Sequence, residues 1–172
     1  MRHPAPRIEP GICYGRLDMP IHPNVEADAD RLARDPVLNG SSVVWTSPAR
    51  RCHDLAGRVA CALSIPLAVD SRLLELDFGA WEGKPWDEVP RAELDRWAAD
   101  PLSFRAPGGE SGAELIARLA DFCVDLRRLA QSCAVVSHGG PLKVLSALLR
   151  GEPVDLLRPP QALGTAVAIT SG

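Results

Sequence analysis

At 172 residues, with 46% apolar and 24% charged residues, the chain has the length and composition of one globular domain, 1–172, with room for a substantial core. A formal net charge of −3 gives no reason to expect a nucleic-acid partner or an anionic membrane surface, and no apolar run approaches membrane-spanning length or a signal-peptide core. Five cysteines with no C-x-x-C spacing point to reduced thiols in a cytoplasmic setting and away from a zinc site.

Residues 4–23 carry several prolines with Gly11 and Gly15 and read as an ordered loop. Asn24 is placed to cap a short helix through Arg34, which Asp35-Pro36 ends because the residue before proline avoids helical geometry. Val43–Thr46 is apolar and β-branched, a strand; Ser47-Pro48 then predicts a helix from Pro48 to Leu63, with Leu55, Val59 and Leu63 on its core face. Pro66–Val69 is a further short strand. Leu73–Gly83 delivers Glu75 and then a tight Gly-Ala-Trp-Glu-Gly turn, and Pro90 opens a short helix to Ala99. Ser111-Gly112-Ala113-Glu114 matches a capping box, followed by a stripe of Leu115, Leu119, Phe122, Leu126 and Leu129. Ala134–Ser137 is a strand, Pro141–Arg150 a helix with Gly151 beyond its end, and Ala166–Ile169 a last strand. This alternation predicts an α/β fold, a three-layer αβα arrangement around a mainly parallel sheet.

Two of these strands end alike. Val43–Thr46 runs into Ser47-Pro48-Ala49-Arg50-Arg51, and Ala134–Val136 runs into Ser137-His138-Gly139-Gly140-Pro141. Each is a strand feeding a helix N-terminus, where free N–H groups and the positive dipole end favour an anion, and ligands of open α/β sheets lie beyond such strand ends. Histidines and arginines converging there suggest phosphoryl transfer. A neutral imidazole is a competent nucleophile near pH 7, and arginine stays charged while binding two phosphate oxygens at once.

Arg2-His3, Ser47-Pro48-Ala49-Arg50-Arg51, Glu75 within Leu74–Gly83, and Ser137-His138-Gly139-Gly140 resemble, in order and spacing, the phosphoglycerate-mutase-like histidine phosphatases. Gly11–Pro20 and Pro107-Gly108-Gly109-Glu110-Ser111 are similar to the branch of α-ribazole phosphatase, an enzyme of cobalamin synthesis. The resemblance implies that His3 is the nucleophile, that Arg2 and Arg51 clamp the phosphate, and that Arg50 is a flanking charge. His138, held charged, would meet the phosphoryl oxygens, and Gly139 would let backbone N–H groups approach them. Glu75 is the implied general acid, with a pKa raised by desolvation if it is buried, and Glu82 is its rival, better suited to a structural role. Tyr14, Gly15 and Arg16 line the substrate entrance; Trp81 either stacks on a substrate base or packs.

The implied activity is that of a metal-independent phosphomonoesterase with a phosphohistidine intermediate, no cofactor, and a small phosphorylated substrate, α-ribazole 5′-phosphate. The alternatives are a broad-specificity phosphatase, a phosphoglycerate-type mutase, and a non-catalytic phosphate-binding domain. The resemblance also places an apolar strand immediately ahead of Arg2-His3, inside the sheet, where this chain has only Met1. That first strand is expected to be missing, which would leave neighbouring backbone groups unpaired and His3 on a fraying, weakly held terminus.

Overall fold

Three apolar runs form the sheet: β1 (Val44–Thr46), β2 (Leu67–Val69) and β3 (Ala134–Val136). The computed structural model describes residues 1–19, 25–129 and 131–169. The order is β2-β1-β3, with both pairs parallel and Val44 level with Leu67 and Ala134. Five helices complete the layers: α1 (Val25–Ala33), α2 (Arg50–Leu63), α3 (Arg91–Ala99), α4 (Gly112–Leu129) and α5 (Gly139–Arg150).

Alternation along each strand builds the sandwich. Val44, Ala134 and Val136 pack with Leu32 of α1 and with Leu55 and Val59 of α2. Trp45 and Val135 join the opposite core, with Leu115, Leu119 and Phe122 of α4 and Leu145 of α5. Trp45 meets Phe122 edge to face, ring centroids 5.7 Å apart. A third, aromatic cluster lies outside these layers: Trp81, Val89 and Ala106 are buried among Phe78, Trp86, Trp97 and Phe104.

Most elements lie where the residue pattern puts them, and the exceptions have physical causes. The capping box of α4 forms: Ser111 N–H donates to Glu114 Oε2 at 2.8 Å, and Glu114 N–H to Ser111 Oγ at 3.3 Å. Leu115, Leu119 and Phe122 are buried, but Leu129, the last residue of α4, is 40% exposed. Helix α2 starts at Arg50, two residues late, since Ala49 stays extended with ψ 131°. Helix α5 starts at Gly139, two residues early. Pro141 is tolerated inside it because a first-turn residue has no intrahelical N–H bond to lose. The predicted cap Asn24 lies outside the described residues.

The strand expected ahead of His3 is present only as a parallel bridge between Arg2 and Ser137. These first residues are nevertheless held on both edges. Ser137 N–H donates to Met1 O (3.0 Å) and His3 N–H to Ser137 O (3.2 Å); opposite, Arg2 N–H donates to Thr165 O (3.0 Å) and Gly164 N–H to His3 O (3.1 Å). Met1 is 6% exposed, within the first core, and His3 is 1% exposed, so the expected fraying is not observed. The predicted strand Ala166–Ile169 is likewise corrected: these residues have no strand geometry. Arg2 and His3 exchange hydrogen bonds with Thr165 and Gly164, and residues 166–169 beyond them join no ladder.

Candidate active site

The carboxyl ends of β1 and β3 and the bridged residue His3 meet at one point. His3 Nδ1 lies 2.6 Å from Pro4 O. A carbonyl only accepts, so Nδ1 carries the proton and Nε2 keeps its lone pair. Burial pushes the His3 pKa down to about 3, with Arg51 and Arg2 adding to the depression against the opposing bond to Pro4 O. The ring is therefore neutral over the whole ordinary pH range.

His138 follows β3, with its ring centroid 5.1 Å from that of His3. Arg51 Nε donates to His138 Nδ1 at 3.2 Å, so His138 Nε2 holds the proton and gives it to Ser47 Oγ, 2.8 Å away. Burial, then the charge of Arg51, lowers its pKa well below the usual value. The expectation of a charged His138 is thus corrected: burial beside arginines favours the neutral ring. Cys52 Sγ lies against the same ring, 3.5 Å from Nε2, and burial raises its pKa, keeping it a thiol.

Arg51 is fully buried on the first turn of α2 while Arg50 is exposed, as the register implied. Besides His138, Arg51 donates to Leu17 O (2.8 Å) and to Gly15 O, and its guanidinium stands 5.5 Å from the Tyr14 ring centre. Arg2 reaches the site from the bridge. Its Nη1 donates to Gln161 O at 2.5 Å, and its Nε is a buried donor that meets no acceptor among the described residues. A buried orphan donor on a guanidinium beside two histidines suits an anionic ligand.

Glu75 is half-buried on the irregular segment after β2. Its Oε1 accepts from Leu76 N–H at 3.0 Å and its Oε2 from Gly140 N–H at 3.2 Å, at the start of α5. Both glycines there are needed. A Cβ on Gly140 would overlap Glu75 Oε1, and one on Gly139 would crowd Pro160 at 2.9 Å and Arg2 Nη2 at 3.2 Å. Glu82 takes the structural part, accepting from the backbone N–H of Arg16 (2.8 Å), Leu17 (2.5 Å) and Phe78 (3.0 Å). Gly15 lies so close to Leu76 O that a side chain has no space. Arg16 is turned to Asp77 (3.5 Å) and Glu110 (3.4 Å). Trp81 is 2% exposed and donates Nε1–H to Glu93 at 2.8 Å; it packs.

Residue reading did not assign Gln161, Cys52 or the contact of Ser47 with His138. Gln161 acts through its carbonyl, which every residue has, so no side-chain signal marks it. Among the described residues no group of three or more His, Cys, Asp or Glu is arranged to hold a metal, and no helix is long and apolar enough to cross a membrane.

A neutral buried histidine flanked by two arginines, a second histidine and a carboxylate, at strand ends of a three-layer αβα fold, defines a phosphatase of the histidine type. The chain belongs to the histidine phosphatase superfamily (branch 1), whose family pattern matches residues 1–171. Putative phosphoserine phosphatase 2 of Hydrogenobacter thermophilus is 33% identical over 153 residues, 87% of this chain and 75% of that protein. The mycobacterial glucosyl-3-phosphoglycerate phosphatase structure is 26% identical with a TM-score of 0.74, covering 89% of this chain and 78% of its own. The α-ribazole phosphatase of Shigella flexneri superposes with a TM-score of 0.84 over 95% of this chain and 85% of its own; at 23% identity that likeness is one of fold.

Proposed function

We propose that the chain is a metal-independent phosphomonoesterase that forms a phosphohistidine on His3 and hydrolyses α-ribazole 5′-phosphate. The observation that carries the mechanism is the fixed tautomer of His3, which leaves Nε2 free to attack phosphorus from a ring flanked by Arg2, Arg51 and His138. Nε2–P bond formation accompanies P–O cleavage. Glu75 serves as the acid that gives a proton to the departing alkoxide and then as the base that takes one from the water that hydrolyses phospho-His3. Arg51 exchanges its bonds to Gly15 O and Leu17 O for phosphoryl oxygens, and Arg2 Nε finds its acceptor. A dianion between the two rings favours protonation of His138, which then adds its charge in the transition state. These groups supply the positive charge that a divalent ion would otherwise provide.

For the substrate, the motifs at Gly11–Pro20 and Pro107–Ser111 support an α-ribazole leaving group. So does a cavity of about 600 Å³ lined by Ile8, Ile12, Leu17 and Met19, with Arg7 and Glu9 at its wall. Leu17 belongs to both places: its carbonyl accepts from Arg51 and the residue lines the cavity. An apolar benzimidazole suits the aliphatic part of that lining. The relative named a putative phosphoserine phosphatase favours phosphoserine as a second reading.

The test is a comparison of α-ribazole 5′-phosphate, phosphoserine and 3-phosphoglycerate, with labelled phosphate followed into the protein, into water and onto other hydroxyls. The α-ribazole ester should show the highest kcat/KM, and its phosphate should go to water. His3→Ala should abolish turnover and the acid-labile phosphoenzyme. Label retained on His3→Ala protein moves the nucleophile elsewhere, phosphoserine turning over fastest replaces the substrate, and transfer between hydroxyls makes the protein a mutase.

A further inference from the structure

Glu75 lies on a stretch, 74–78, that is neither helix nor strand. A carboxyl that must meet a leaving oxygen needs its backbone held, and this one has no sheet ladder of its own. Arg118, midway along α4, supplies the hold. Its Nη1 donates to Arg72 O and its Nη2 to Glu75 O at 3.1 Å. Glu110 grips the other side of the same guanidinium, Oε1 to Nε at 2.7 Å and Oε2 to Nη2 at 2.9 Å. These side chains are 15% and 11% exposed, so water competes little for either. Glu110 N–H also donates to Asp77 O at 2.9 Å, which ties the same stretch two residues further on. Glu110 Oε2 in turn lies 3.4 Å from Arg16 Nη2 at the pocket mouth.

We infer that Arg118 is a positioning residue for proton donation by Glu75, that Glu110 locks it in place, and that Arg16 joins this lock to the mouth of the pocket. The inference rests on Glu75 being the general acid. Only a planar guanidinium with five donors can serve two carbonyls and a bidentate carboxylate at once; an ammonium is a point charge with three rotating donors. A guanidinium that merely stabilised the fold would leave the balance between substrates unchanged, whereas one that aims the acid matters most where the leaving group most needs a proton.

The experiment measures kcat/KM, which reports steps up to the first phosphoryl transfer, for an alkyl phosphate and for p-nitrophenyl phosphate. The proteins are wild type, Arg118→Met, Arg118→Lys, Glu110→Gln, Glu75→Gln and the double variant Glu75→Gln with Arg118→Met. Arg118→Met should slow the alkyl ester at least about tenfold more than the p-nitrophenyl ester, within the ~10²–10⁴-fold that a general acid contributes. Glu110→Gln should act in the same direction to a smaller extent. Added to Glu75→Gln, Arg118→Met should bring no further selective loss. If Glu75→Gln is selective while the Arg118 and Glu110 variants slow both esters equally, the inference fails and the acid stands. If Glu75→Gln slows both equally, the acid assignment fails and takes the inference with it. Should Arg118→Met not fold, Arg118→Lys, which keeps the charge, carries the same comparison: a selective loss supports the positioning role, and wild-type balance overturns it.

Discussion

The neutral burial of His3 makes stability depend on pH in a way that can be isolated. In the unfolded chain His3 titrates near 6.5, and in the folded protein at about 3. Between those values the unfolded state binds the proton and the folded state does not, so stability rises with pH across the window and is lost on acidification. His3 is 1% exposed, so solvent screening takes little away. At ~1.4 kcal/mol per pH unit, the loss reaches roughly 3 kcal/mol by pH 4.5 and roughly 4 kcal/mol near pH 3, where the folded-state ring begins to take up its own proton. The assay is urea unfolding of wild type and His3→Gln from pH 7 to pH 4, taking the difference at each pH. Groups common to both proteins cancel, such as Asp70, held low by its hydrogen bond with Arg72, and the buried Met1 amino group, pushed down to about 6. Wild type should lose stability relative to the variant as pH falls below 6.5. Parallel curves would refute the assignment of His3 as a buried, neutral, singly protonated ring.

Turnover should persist in EDTA; complete loss restored by magnesium would overturn the assignment of the phosphate charge to Arg2, Arg51 and His138. In Gly140→Ala the added methyl overlaps Glu75 Oε1, and a carboxyl displaced by ~1 Å should lower turnover about 100-fold. The melting temperature should change little, because the far end of a flexible side chain gives way; a large fall in melting temperature with normal turnover per folded molecule would contradict this.

Much of the site was legible because the residues that touch phosphate recur at strand ends followed by helix starts. The Ser47–Arg51 register chose Arg51 over Arg50, and the structure buries the one and exposes the other. The protonation of His138 was not legible, because it depends on Arg51 and Ser47, which arrive from another strand end. Arg118 was hidden for a different reason: in a chain where arginine supplies nearly all the basic residues, one more on a helix carries no signal until its partners are seen. The failure at Ala166–Ile169 has the same root. Local β-propensity was present, but a strand exists only where another backbone lies alongside.

The aromatic cluster beside the pocket gives the protein a built-in optical reporter. Of the 4 tryptophans, Trp81, Trp86 and Trp97 belong to that cluster, and Trp45 alone lies in the sheet. Intrinsic emission is therefore weighted toward this cluster rather than toward the αβα body. Glu82 binds Phe78, which packs against that cluster, and Arg16 and Leu17 at the pocket mouth through one carboxylate. Through that carboxylate, phosphate binding at the mouth is expected to change the indole environment, and an emission spectrum left unchanged by titration with inorganic phosphate would refute the coupling.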